Sequence, residues 1–406
     1  MPGAPAPAPA LPRVSLQPLL IAALLGTMAM MAYVAVVGPV VRRLGLPEWV
    51  AGLSITAGGV FWMVLARWWG RVSDRRGRKP VLMVGLAVFA VTYLVMAIGV
   101  DGALRHAVSL SAAVVLLVGT RCLVGAFYAA VPPTTAAMIA DHTLPAERPS
   151  HMARLGTANA VGLVLGPAAA GGLASVNLSL ALYAAAALPA IALLVIWFGL
   201  PRKAATPSAP QGGPRAAPGV KLFDPRLRHA SLTAFIAMTS VAIAQVLVGF
   251  FAIDRLGLGE EAGARAAGFA LAAVGIALIV SQQFVMRMKS VPLMRWVWVG
   301  ALISGAGFAS VALAQTQTVL LLCYGIAAFG MGFVFPSFQA MAANAVERHE
   351  QGAAAGTVSA AQGLGMVIGP LAGTLLYRFS PGLPYLLIGS ALVLLSLFTL
   401  FRQRNR

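Results

Sequence analysis

Acidic residues are scarce in this chain: 11 Asp and Glu stand against 29 Lys and Arg in 406 residues. Charge of either sign reaches 10% of the sequence, where a soluble domain carries about a quarter. Cysteine is nearly absent. Cys122 and Cys323 both lie in apolar stretches, so neither a disulfide framework nor a metal site is expected. There is no Gly-x-x-x-x-Gly-Lys-Ser/Thr loop, no His-Glu-x-x-His pair and no nucleotide domain, which argues against an ATP-driven pump or a membrane enzyme. No cofactor is expected beyond a proton gradient as energy source.

What is present is hydrophobic. Apolar residues make up 59% of the chain, and mean hydropathy is +0.86. Twelve apolar runs fall near 16–41, 48–67, 81–100, 107–131, 152–175, 179–200, 229–253, 264–287, 293–314, 317–342, 353–376 and 382–401. Each is about 20 residues, the length that crosses ~30 Å of hydrocarbon as a helix. The fold class is therefore all-α, integral to the membrane, with 12 spans. A net charge of +18 would suggest nucleic acid in a soluble protein. Its distribution decides otherwise. With both termini placed inside, the inner segments hold 22 of the 29 Lys and Arg and the outer loops six. That asymmetry follows the positive-inside rule. The basic loops are expected to meet anionic lipid headgroups, with no role in nucleic-acid binding.

Residues 1–15 read as a disordered Pro/Ala-rich tail, and the apolar run after it is too long for a signal-peptide core, so it reads as an uncleaved first helix. Residues 201–228, rich in Pro, Ala and Gly, read as a cytoplasmic linker between six spans at 16–200 and six at 229–406. The halves repeat. Sliding 133–173 onto 336–376 without gaps gives 12 identities in 41 positions, among them Pro133/Pro336, Gly162/Gly365, Gly166/Gly369 and Pro167/Pro370. Internal repeats of this kind mark many transporter folds.

Three motifs carry chemistry. GRVSDRRGRKP at 70–80 sits between two apolar runs, and six of the thirteen residues from Arg67 to Lys79 are basic. So basic a stretch belongs in a short loop at the cytoplasmic surface. GLVLGPAAAGGL at 162–173 places Gly162 and Gly166 on one face of the fifth span, next to the helix-bending Pro167. Arg121 is the one charge well inside a span, which makes it a functional hypothesis by default.

Gly70, Asp74, Arg75, Gly77, Arg78 and Lys79 match the loop between helices 2 and 3 of the major facilitator superfamily, which the chain resembles. Gly162, Gly166, Pro167, Gly171 and Gly172 resemble the helix-5 signature of that family's exporters. Arg121 and Gly125 resemble its helix-4 arginine motif, with Val124 in place of the usual Gln. The resemblance implies two pseudo-symmetric six-helix bundles working by alternating access, and in particular a 12-helix drug:proton antiporter. It assigns gating to Gly70, Asp74, Arg75, Gly77, Arg78, Gly162, Gly166, Pro167 and Gly171. A carboxylate at Asp74 is also suited to latch the bundles, because the positive N-terminal end of the eleventh span lies on the same face. Gly70 is expected to let the second and eleventh spans approach closely.

The first span has no carboxylate, so the candidates for proton coupling are Arg121, Asp141 and Asp74, or a shifted histidine such as His142 or His151. Asp254 reads as a structural residue at the outer end of the seventh span. Candidate cavity residues are Tyr33, Arg121, Tyr128, Gln245, Tyr324, Gln339 and Gln362, with methionines as an adaptable wall. With Arg121 and no buried acid, the cavity is expected to prefer neutral or anionic amphipaths. The expected protein is a monomeric exporter of small molecules in the bacterial inner membrane. An endogenous metabolite such as a siderophore is the alternative cargo, and a non-transporting membrane sensor is the alternative of another class.

Overall fold

The computed structural model describes residues 15–106, 108–143, 148–200, 224–288, 290–347 and 351–404. The tail at 1–14 and linker residues 201–223 lie outside the described residues. Thirteen helices follow in order: α1 (Gln17–Arg43), α2 (Trp49–Arg76), α3 (Arg78–Arg105), α4 (Leu110–Tyr128), α5 (Val131–Asp141), α6 (Arg148–Ala174), α7 (Leu178–Gly199), α8 (Arg228–Asp254), α9 (Glu260–Arg287), α10 (Leu293–Val311), α11 (Gln317–Asn344), α12 (Gln351–Tyr377) and α13 (Leu383–Arg404). They form 12 spans long and apolar enough to cross a membrane, because α4 and α5 together make one, Leu110–Asp141.

The break in that span has a local cause. Pro132 and Pro133 lack the N–H groups that would continue the ladder. Ala130 N–H turns to the Phe127 carbonyl, and the Ala126 carbonyl is taken by the Trp69 indole N–H at 2.7 Å. Helix starts at loops are capped where the sequence allows. Ser109, Asn177 and Thr316 side chains accept backbone N–H groups of α4, α7 and α11.

The pairing of helices repeats between halves. In the first half α1 packs on α6, α2 on α4 and α3 on α7; in the second, α8 packs on α12, α9 on α11 and α10 on α13. Glycines set the closest pairs, since van der Waals contact between backbones is what joins helices in lipid. A Cβ at Gly162 would lie 2.7 Å from the Leu24 carbonyl oxygen on α1, and one at its repeat partner Gly365 2.8 Å from the Phe235 carbonyl oxygen on α8. The 12 sequence identities therefore include equivalent packing faces.

The halves meet along α6–α9, α2–α12 and α1 against α8 and α9. Contact is concentrated at one end. Gly171 and Gly268 approach so closely that a Cβ on Gly171 would lie 2.7 Å from the Gly268 Cα. Toward the end bearing residues 70–80, the glycines Gly70, Gly156 and Gly356 meet nothing within 4 Å. The molecule is closed at one end and open at the basic end.

Candidate functional site

Two adjoining lobes of 180 Å³ and 320 Å³ lie between the halves and share Met31, Ala242, Gln245 and Met366. Thr27, Met30, Trp62, Met63, Arg121 and Tyr128 wall the smaller lobe. Met238, Met331, Phe335, Tyr324, Gln339 and Gln362 wall the larger. Among the described residues, no Asp or Glu lines either lobe. An apolar wall with a few placed polar groups is the usual form of a small-molecule site. A wider groove of 650 Å³ between α9, α10 and α11, lined by Ile303, Leu322 and Phe329, shares no residue with these lobes and lies on the outside of the second half.

Arg121 is 3% exposed. Its guanidinium carbon sits 4.4 Å from the centre of the Tyr33 ring, and Nη1 approaches the Met30 sulfur at 3.9 Å. Nε is buried with no acceptor among the described residues. The cation is held by an aromatic face in place of an acid, an arrangement that gains strength when desolvated. Tyr33 was expected on the cavity surface; it belongs beneath it. Its hydroxyl pairs with Ser54 Oγ at 2.9 Å, and Ser54 in turn donates to the Ala51 carbonyl, so Tyr33 braces Arg121 and lines neither lobe.

The other expected cavity residues are brought together. Tyr128 lines the smaller lobe, with its hydroxyl 3.2 Å from Thr27 Oγ1. Gln245 stands where the lobes meet. Tyr324 contributes its ring to the larger lobe, while its hydroxyl is committed to the Ala244 carbonyl at 2.7 Å and the Tyr385 hydroxyl at 2.8 Å. Trp62 is the residue that sequence reading missed, because a tryptophan in a span reads as lipid-facing. Its indole N–H is buried without an acceptor among the described residues.

Residues 70–80 are not the loop expected. Helices α2 and α3 run through them and meet at a one-residue turn on Gly77, with φ 93° and ψ 149°. Arg78 gathers the acids: it meets Asp74 at 2.5 Å, Asp141 at 3.0 Å and the Ser73 hydroxyl at 2.7 Å. Lys79 donates to the Trp197 and Leu200 carbonyls, capping α7. Asp74 and Asp141 thus share a partner at the basic surface, with side chains 60% and 45% exposed. Asp141 is 20 residues beyond Arg121, roughly 30 Å along a helix, so the three coupling candidates do not form one site. Arg75 is exposed. Gly70 touches no other helix in this conformation, because the basic ends of the halves stand apart.

Gly162, Gly166 and Gly171 divide their work. The first two face α1 within the same half, and Gly171 faces Ala264 and Gly268 on α9 of the other. The Pro167 carbonyl also approaches Gly268. At this closed end, Arg42 reaches Asp254 at 2.5 Å and Glu48 at 2.7 Å, Arg43 reaches Glu261 at 3.1 Å, and the Tyr377 hydroxyl donates to Asp254 at 3.0 Å. Thr56 donates to the Val367 carbonyl at 2.7 Å across the α2–α12 contact. Asp254 is therefore a bridge between halves, which its place near a loop did not reveal.

A family model described as Major Facilitator Superfamily matches residues 19–354 and 294–406. The chain belongs to the major facilitator superfamily. Its relatives include the class G tetracycline resistance protein of Vibrio anguillarum, 30% identical over 353 residues and covering 84% of each chain. Multidrug resistance protein 2 of Bacillus subtilis is 23% identical over 352 residues, covering 84% of this chain and 83% of its own. Among solved structures, the inward-facing, occupied form of a bacterial homologue of the human lysosomal transporter Spinster matches with a TM-score of 0.74 at 15% identity, over 96% of both chains. This facilitator is a multi-pass membrane transporter without enzymatic chemistry, of the kind to which drug efflux proteins belong.

Proposed function

We propose that this facilitator is a secondary exporter of small amphipathic molecules, driven by proton antiport across the bacterial inner membrane with both termini in the cytoplasm. The observation that carries the reading is the amphipathic cavity between the halves, open toward the Arg/Lys-rich end and shut at the other. With the basic end inside, cargo enters from the cytoplasm or inner leaflet, the halves rock about the cavity, and release is outward. Resistance and multidrug relatives along most of the chain's length support export over uptake. Proton coupling is taken from the family resemblance; the carrier is sought among Arg121, Asp141 and Asp74.

The test is uptake of labelled neutral, anionic and cationic compounds into everted membrane vesicles, with and without a protonophore. Accumulation that the protonophore abolishes, and that Arg121→Ala lowers at least about tenfold, is expected. Asp74→Asn should slow turnover while leaving binding intact, since it acts on the basic-end latch and lies away from the cavity. Accumulation indifferent to the protonophore overturns antiport, and no accumulation of any compound overturns the exporter.

A further inference from the structure

Two buried donors on residues that wall the smaller lobe have no acceptor among the described residues. Arg121 Nε, on a side chain 97% removed from solvent, has no acceptor, and neither has the Trp62 indole N–H. Both residues belong to the wall of the same 180 Å³ space. Neither group can act as an acceptor. The nearest side chains offer no anion: Tyr33 gives Arg121 a ring face, and Met30 a soft sulfur. A buried donor left unpaired is costly, and two of them on the wall of one cavity call for a shared acceptor. The larger lobe next door differs in kind, with Met238, Met331, Phe335 and Met366 forming an adaptable apolar wall.

We infer that Trp62 and Arg121 together form an acceptor-specific subsite that selects amphipaths bearing a carboxylate, with the apolar body lying in the methionine lobe. The inference rests on the cavity being the substrate site and deepens that reading. Arg121 supplies charge. Trp62 supplies a directed hydrogen bond that separates an oxyanion from a cation of the same size. The division also suits the absence of Asp and Glu from both walls among the described residues, since a cationic cargo would find no counter-charge.

Three dyes on one xanthene core provide the probe: fluorescein, carboxylate-bearing rhodamine 110, and rhodamine 123, the cationic methyl ester of rhodamine 110. Binding to the purified full chain in detergent is read by fluorescence anisotropy. Fluorescein should bind most tightly, and rhodamine 123 about tenfold more weakly than rhodamine 110, from which it differs only in the masked carboxylate, the scale of one charge-assisted hydrogen bond. Trp62→Phe, which keeps an aromatic ring and removes the donor, should weaken fluorescein about tenfold and leave rhodamine 123 within about twofold. Equal affinity of the three dyes for the wild type overturns the subsite, and so does a Trp62→Phe effect that is absent or shared by all dyes. In those cases the cavity stands as a binding site. Binding of none of the dyes overturns the cavity reading along with it.

Discussion

Gly77 sits at φ 93° and ψ 149°, backbone in which a side chain is strained. Everything the 70–80 motif does hangs on that one residue, because it reverses the chain so tightly that Asp74 and Arg78 come within 2.5 Å across the turn. Gly77→Ala should cost on the order of 1–3 kcal/mol, visible as a lower melting temperature of the purified protein, with Arg78 losing its grip on Asp141. The motif was legible from its basic run, yet its shape was not. Polar residues in a row suggest a loop, and only the helices on either side show that Ser73 and Lys79 are buried within them. Arg121 was legible for a simple reason, a charge amid apolar residues. Its brace was not, since Tyr33 lies 88 positions earlier and nothing in an isolated tyrosine announces a cation above it.

At the level of helices, the closed end is a contact between α6 and α9 that tolerates no side chain. A Cβ on Gly268 would lie 2.7 Å from the Pro167 carbonyl oxygen and 2.8 Å from the Gly171 Cα. Gly268→Val should therefore pry this end open. With Cys122 and Cys323 replaced by alanine, a reporter cysteine at Ala267, fully buried here, should react with a membrane-impermeant maleimide at least about tenfold faster in the Gly268→Val background. Unchanged reactivity would mean that α6 and α9 do not bear the seal. The spans themselves could be read from run length, because hydrocarbon thickness sets it. The junction of α4 and α5 carried a signal in Pro132–Pro133, but its repair by Trp69 needed the third dimension. Gly268, unlike Gly171, belongs to no motif, so its role emerged only from the helix it touches.

Across the whole molecule, one packing plan is used twice. Gly162 and Gly166 seat α6 on α1, and Gly365 and Gly369 seat α12 on α8, so each half is a stiff unit and motion belongs at their interface. The repeat was visible in the sequence because these glycines and the prolines beside them recur at a fixed offset. The direction in which the molecule is open was not, since one sequence must serve both states. In the state seen here the Asp74 carboxylate rests on Arg78. Closing the basic end would bring that surface toward the start of α12.

The ion pairs described between the halves, Arg42–Asp254 and Arg43–Glu261, are partly exposed, with Arg42 30% and Glu261 43% accessible at the side chain. Exposed pairs are weak and are screened by dissolved ions within about 10 Å at 0.1 M. In the orientation proposed, they face the exterior alone. The external medium thereby acquires a voice in how long the carrier waits open to the cell. Raising salt outside reconstituted vesicles should increase labelling of the Ala267 cysteine reporter a few-fold, the same addition on the cytoplasmic side should do much less, and Arg42→Gln together with Arg43→Gln should erase the difference. On that orientation, the ionic strength outside would weigh on the seal with no dedicated sensor.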